Sequence, residues 1–351
     1  MKLVTKSKLL IVDDIPENIH ILMNCLKNDY DILAATNGKK AIDIVNKNLD
    51  IDIILLDIMM PDIDGYEVCR ILKSSSLTQN IPIIFVTALN ESKNEERGLE
   101  LGAVDYITKP INAPLVRQRV KNHIELKHHQ DNLKDLVEQR TKELKEAKEA
   151  AIEAMGIIAE KRDSNTGEHV QRVKKYVKLI SLELAKKDKY KNILTKEYIE
   201  NLYHTSPLHD IGKVAIKDSI LLKDSSLTKD EFEEMKLHTI IGEQTLDMVS
   251  KHLKSTNMIN IAKEIASSHH ENWDGSGYPK GLKGVQIPLS ARIVSVADVY
   301  DAMLHKRVYK EAISKEIVIE EIKKNSGIKF DPDIVDSFLR LLQSKITLLN
   351  L

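Results

Sequence analysis

Cysteine is nearly absent, with two in 351 residues. Cys25 and Cys69 each stand alone in apolar surroundings. No disulfide framework, thiolate zinc site or iron–sulfur cluster can be built from them, and both read as buried free thiols in a reducing cytoplasm. Long hydrophobic runs are missing too. Nothing reaches the roughly 18–20 apolar residues needed to span a bilayer, and the N-terminus enters a strand pattern too early for a signal peptide. Neither sign of charge is in excess: 52 basic and 53 acidic side chains leave a formal net charge of −1. That balance removes the electrostatic case for nucleic acid or a membrane surface as the main partner. Aromatic residues are only 4% of the chain, so few side chains could stack on a base. Glycine and proline are absent between Pro114 and Gly156, which leaves nothing there to stop a helix.

What is present divides into a multidomain chain, as the length suggests. Over residues 1–121 the apolar runs LLIV (9–12), DILAA (31–35), IDIILL (51–56), IPIIFV (81–86) and VDYI (104–107) alternate with helical stretches. Runs of this kind are strands buried on both faces, and the helices between them predict right-handed crossovers and a parallel sheet. After the runs come Asp13-Asp14, Asp57, Thr87 and Lys109-Pro110. In an open parallel sheet these positions converge in the crevice beyond the carboxyl ends of the strands. Taken singly they are ordinary turn formers; four in order ask for a cation and an anion.

A helical linker is expected over 122–152. Leu133, Val137, Arg140, Leu144, Ala147, Ala151, Ala154 and Ile158 fall at alternating three- and four-residue steps, an a/d seam that predicts a parallel coiled-coil homodimer, with a solvated single helix between domains as the alternative. His123, His128 and His129 read as surface residues of this helix.

Residues 153–351 carry helical periodicity without sustained alternation, so an all-α domain is expected. Across it are spaced His169, His209-Asp210, His238, His269-His270 and Asp298. Imidazoles and carboxylates in this ratio, without thiolates, suit a pair of divalent metals, with iron or manganese favoured over zinc. The aspartate of the His-Asp pair can bridge two ions, an arrangement that generates hydroxide for phosphoester hydrolysis. Lys213 follows Asp210 by three residues and would face developing phosphate charge. His204, His252 and His305 lack such context and read as surface or core residues.

The segment LLDIMMPDIDGYE around Asp57 resembles the response-regulator receiver domain. That resemblance implies a flavodoxin-like, five-stranded α/β fold, Asp57 as phosphoacceptor and a histidine kinase as donor. Asp13 and Asp14, with Asp57, would hold Mg²⁺; Thr87 and Lys109 would grip the phosphoryl oxygens, and Tyr106 would switch rotamer. SPLHDIGKVAIKDSILL, MKLHTIIGEQTL, ASSHHENWDGSGYPKGLKG and RIVSVADVYDAM resemble, in order and spacing, the HD-GYP domain of cyclic-di-GMP phosphodiesterases.

Carried over position by position, that resemblance implies one metal on His169, His209, Asp210 and Asp298, with Asp210 bridging. His238, His269 and His270 would complete the second. Tyr278 would lie near the substrate, and Asp163, Asp301, Arg307 and Lys310 would contact it. Members holding three metals have a glutamate four residues before the histidine matched by His169. Here Asn165 stands there, a poor ligand for a hard cation, so two metals are expected. KDSSLT at 223–228 replaces a common Pro-Gly and falls in a loop. The expected activity opens cyclic-di-GMP to pGpG and onward to GMP. The alternatives are a catalytically weak sensor, a module that docks diguanylate cyclases, or an HD phosphohydrolase for another nucleotide.

Overall fold

The computed structural model describes residues 6–88, 98–162, 167–252, 257–305 and 314–343. The chain divides into two compact units, 1–141 and 142–351.

The first unit is built on β1 (Lys8–Val12), β2 (Asp31–Ala35), β3 (Ile53–Asp57), β4 (Ile83–Ala88) and β5 (Asp105–Lys109), all paired in parallel in the order β2-β1-β3-β4-β5. This is the doubly wound order whose ligand crevice opens where β1 and β3 part. Alternate residues of each strand are buried on opposite faces. Leu10, Val12, Ile54 and Leu56 pack with α2 (Gly38–Lys47) and α3 (Gly65–Ser74), while Leu9, Ile11, Ile53 and Leu55 pack with α1 (Pro16–Leu26). Burial on both faces explains why the strands read as unbroken apolar runs.

A single helix, α4 (Ala113–Lys161), follows β5. Its first turns place Val116, Val120 and Ile124, at four-residue intervals, in the core beneath the sheet. Between 125 and 151 nearly every residue is exposed, including Leu133, Val137 and Leu144. The expected linker is therefore the middle of one helix that begins in the receiver-like unit and ends inside the second.

The second unit is helical: the end of α4, then α5 (Gly167–Leu184), α6 (Lys196–Thr205), α7 (Asp218–Leu221), α8 (Lys229–His252), α9 (Asn257–Ser268), α10 (Leu289–Leu304), α11 (Lys315–Lys324) and α12 (Pro332–Gln343). Its main core joins α5, α6, α10, α11 and α12 through Val173, Val177, Leu202, Val294, Ile322 and Phe338. No helix among the described residues is long and apolar enough to cross a membrane.

Candidate functional site

The strand ends of the first unit bring Asp13, Asp14 and Asp57 together, with a carboxylate oxygen from each within 4.8 Å of the others. Lys109 reaches across, its Nζ 2.9 Å from Asp13 Oδ2 and 3.1 Å from Asp57 Oδ1. Burial, then the neighbouring Asp13 carboxylate, raises the Asp57 pKa. That is the signature of negative charge crowded where a cation belongs. Thr87 is buried at the end of β4, and Tyr106 on β5 lines a small cavity with Thr87, Ile58 and Phe85. Next to Tyr106, Asp105 holds α4: Arg119 pairs with its carboxylate and His123 Nε2 lies 3.1 Å away. Arg119 also donates to the Tyr106 carbonyl at 2.8 Å. His123 is half-buried by this pairing, while His128 is exposed, as expected, with its Nε2 3.3 Å from Asp52. Each had its partner on a distant strand or loop, where sequence spacing cannot show it.

In the second unit the His-Asp pair lies outside the α-helices. It sits between two 3-10 turns, Ser206–Leu208 and Ile211–Ala215. Gly212 lets this turn press on α8: a Cβ there would come 1.9 Å from the His238 carbonyl oxygen. The turn still brings Lys213 back, its Nζ 2.8 Å from Asp210 Oδ2.

Four imidazoles are aimed by their Nδ1 atoms. His169 Nδ1 lies 2.6 Å from Asp301 Oδ2, His209 Nδ1 2.9 Å from the Ser206 carbonyl, His238 Nδ1 2.7 Å from that of Met235, and His269 Nδ1 3.0 Å from that of Ile265. Acceptors at every Nδ1 fix the ring orientations and, in the neutral rings, leave Nε2 bare, the tautomer of a metal ligand. Those Nε2 atoms, and Asp210 Oδ1, are buried without a hydrogen bond. Each such atom costs about 1–3 kcal/mol if left so. Ions between them would remove that cost.

Asp210 stands between two sets. Its Oδ2 is 3.3 Å from His209 Nε2, while its Oδ1 is 3.3 Å from His238 Nε2 and 3.6 Å from His269 Nε2. The potential ligand atoms of Asp210, His238, His269 and His270 lie within 4.8 Å of one another, as do those of Glu160, His169 and His209. Asp298 Oδ1 joins the latter set at 3.3 Å from His169 Nε2. Burial opposes charge on His169, but Asp298 and Asp301 outweigh it and push its pKa up to about 10. Burial holds His238 down at about 4. One set calls for positive charge and the other keeps a neutral donor.

Asp301, expected to contact substrate, is buried behind His169. Its side chain is 1% exposed and is fully engaged by His169 and by Arg172, at 2.7 and 3.0 Å. Its carboxylate orients the His169 ring. Replacing Asp301 by Asn should therefore weaken metal binding by about 10–100-fold, measured by competition with a chelator. Tyr278 does lie at the site, stacked on His270 with ring centroids 4.8 Å apart. Phe232 and Lys236 of α8 pack against Tyr278, at 6.1 and 5.4 Å, and neither was anticipated. Glu160 was missed as well. His204 pairs with Glu149 at 3.2 Å, and His305 touches Asp301. Asp163, Asn165, Arg307, Lys310 and the side chain of His252 lie outside the described residues.

Comparison with known families matches residues 9–121 to the response regulator receiver domain and residues 153–334 to the HD domain. The chain belongs to the HD-domain response regulators. HD domains are metal-dependent, in keeping with the candidate ligand groups. Among the relatives of this HD-domain response regulator is a Vibrio cholerae protein named "Probable cyclic di-GMP phosphodiesterase". It is 44% identical over 97% of this chain and 78% of its own length. A Thermotoga maritima protein named "Cyclic di-GMP phosphodiesterase" is 33% identical over 95% of this chain and 89% of its own. A second Vibrio cholerae protein, named "3'3'-cGAMP-specific phosphodiesterase 2", is 39% identical over 56% of this chain and 35% of its own.

Proposed function

We propose that this chain is a phosphorylation-controlled phosphodiesterase that opens cyclic-di-GMP to linear pGpG, with GMP as a further product. The observation that carries the reading is the Asp210 carboxylate, which turns one oxygen to His209 and the other to His238 and His269. His169, His209, Asp298 and Asp210 would hold one divalent ion, and Asp210, His238, His269 and His270 a second, iron or manganese by the oxygen- and nitrogen-rich donor set. Bound there, the ions supply an activated water and neutralise charge on the phosphodiester.

The remaining chemistry belongs to the protein. Arg162 fixes the turn around Lys213 by donating to the Lys213 and Ile216 carbonyls at 3.0 and 3.1 Å. Lys213 is thereby poised to meet charge that develops on phosphate oxygens. Tyr278, Phe232 and Lys236 form an aromatic and cationic flank next to His270, suited to a base of the dinucleotide; Asp163, Arg307 and Lys310 remain candidates for substrate contact. Replacing Lys213 by Met should leave metal content intact and lower kcat by about 10²–10³-fold.

In the receiver, Asp57 would accept the phosphoryl group from a cognate histidine kinase, with Mg²⁺ on Asp13, Asp14 and Asp57, and Thr87, Tyr106 and Lys109 would answer it. Divisions near 121 and 152, a homodimer through the exposed Leu133–Val137–Leu144 seam of α4, and a cytoplasmic setting complete the proposal. The complete set of ligand types supports an enzyme over a sensor or a docking module for diguanylate cyclases. Single-turnover assay of purified protein with Mn²⁺ or Fe²⁺ tests it against cyclic-di-GMP, the mixed cyclic GMP–AMP dinucleotide and guanosine tetraphosphate. Appearance of pGpG from the first supports the reading. Metal-loaded protein that binds cyclic-di-GMP and leaves it closed overturns it.

A further inference from the structure

Glu160 has no place in the ligand set expected from sequence, yet it is 0% exposed and lies in the last full turn of α4, one residue before the helix ends at Lys161. Its Oε1 is 3.7 Å from His209 Nε2. Around that same nitrogen stand Asp210 Oδ2 at 3.3 Å and Asp298 Oδ1 at 3.9 Å. Two ligand atoms that each sit about 2.1 Å from one ion are themselves about 3–4 Å apart. The spacings around His209 Nε2 are of that size. Hydrogen bonds would draw the atoms closer. His209 and His169 are themselves buried, with Nε2 atoms that make no hydrogen bond and point into the same space.

The chain is fixed on both sides of Glu160. One turn earlier α4 passes directly against the segment leading into the His-Asp turn: a Cβ on Gly156 would come 2.5 Å from Pro207 Cβ. Two residues later Arg162 donates to the Lys213 and Ile216 carbonyls and pairs with Asp218 at 2.6 Å. A carboxylate fixed so tightly among other carboxylates is placed for a cation.

We infer that Glu160 is a ligand of the ion held by His169 and His209, so that the helix descending from the receiver supplies part of the metal centre. This rests on the metal-centre reading given above and adds to it. The two sites then differ in kind. The first has three carboxylates and two imidazoles, a hard, charge-rich set; the second has three imidazoles and one oxygen of Asp210. The first should hold Mn²⁺ or Fe²⁺ the more tightly.

The test is Mn²⁺ titration of the metal-free full chain, followed by electron paramagnetic resonance and by bound metal per chain. Wild type should load two ions with the signal of a coupled pair. Glu160→Gln keeps the shape and removes the charge. At the same free Mn²⁺ it should load one ion, show an uncoupled signal, and need about 10–100-fold more metal for the second. Melting of the metal-free variant should be no lower than that of metal-free wild type, because a buried charge has been removed, while the metal-induced rise in Tm shrinks. Glu160→Asp, which keeps the charge on a shorter arm, should recover part of the loss. Two ions bound at wild-type affinity by Glu160→Gln, with only kcat reduced, would overturn the inference and leave the two-ion reading standing. Wild type that loads no Mn²⁺ would instead sink the metal centre itself, and Glu160's part with it.

Discussion

Asp210→Asn is expected to cut cyclic-di-GMP hydrolysis by at least about 10³-fold and to lower metal content at both positions. The reason is the geometry of one carboxylate. Each of its oxygens faces a different histidine set, at 3.3 Å in both directions. Its ionised form is favoured despite burial, because Lys213 and His209 hold the Asp210 pKa well below the usual carboxylate range. An amide keeps the shape, offers one acceptor in place of two, and brings no charge. Asp298→Asn provides the comparison: Asp298 lies 3.3 Å from His169 and 3.9 Å from His209 and so serves one set only. Its loss should spare the ion held by His238, His269 and His270. The measurement is single-turnover hydrolysis beside elemental analysis after anaerobic purification. Asp210→Asn protein that keeps both ions and turns over within tenfold of wild type would show that the carboxylate does not join the two sites.

That aspartate was legible because its neighbours in sequence are also its neighbours in chemistry: His209, Asp210 and Lys213 form one local turn. The receiver crevice was legible for a related reason. A parallel sheet delivers whatever follows each strand to one edge, so Asp13, Asp57 and Lys109 could be brought together on paper before any fold was drawn. Glu160 had no such signal. A glutamate in a Glu- and Lys-rich helix ordinarily faces water, and only the packing of Gly156 on Pro207 reveals that this face is buried. Asp301 gave half a signal. Its spacing from Asp298 predicts a common helix face, yet whether it meets substrate or a histidine depends on α5 lying against α10. The 3-10 form of the His-Asp turn had no sequence signal, because a short 3-10 segment follows close tertiary contact at Gly212 and has no periodicity of its own.

Asp57→Asn should abolish phosphoryl incorporation from acetyl phosphate and Mg²⁺, and with it every phosphorylation-dependent change in hydrolysis. The path from that residue is the less obvious part. A phosphoryl group on Asp57 adds charge where Lys109 already spans Asp13 and Asp57, and Lys109 closes the same strand, β5, that carries Asp105 and Tyr106. Asp105 is bound by Arg119 and His123, one turn apart on α4, and the Arg119 guanidinium lies 5.4 Å from the Tyr106 ring centroid. A shift of β5 would therefore act on the helix that carries Glu160 near its far end. An unbroken helix rises about 1.5 Å per residue and transmits rotation or displacement along its length, provided its two arrangements differ in free energy. Two glycines inserted after Leu144 lie in the exposed stretch and disturb no buried contact. They add about 200° of rotation to any helix that re-forms and make the segment easier to unwind. Hydrolysis by the inserted protein should persist while its response to phosphorylation disappears. If the response survives the insertion unchanged, the signal does not travel through α4, and the placement of Glu160 at the helix's far end is then purely architectural.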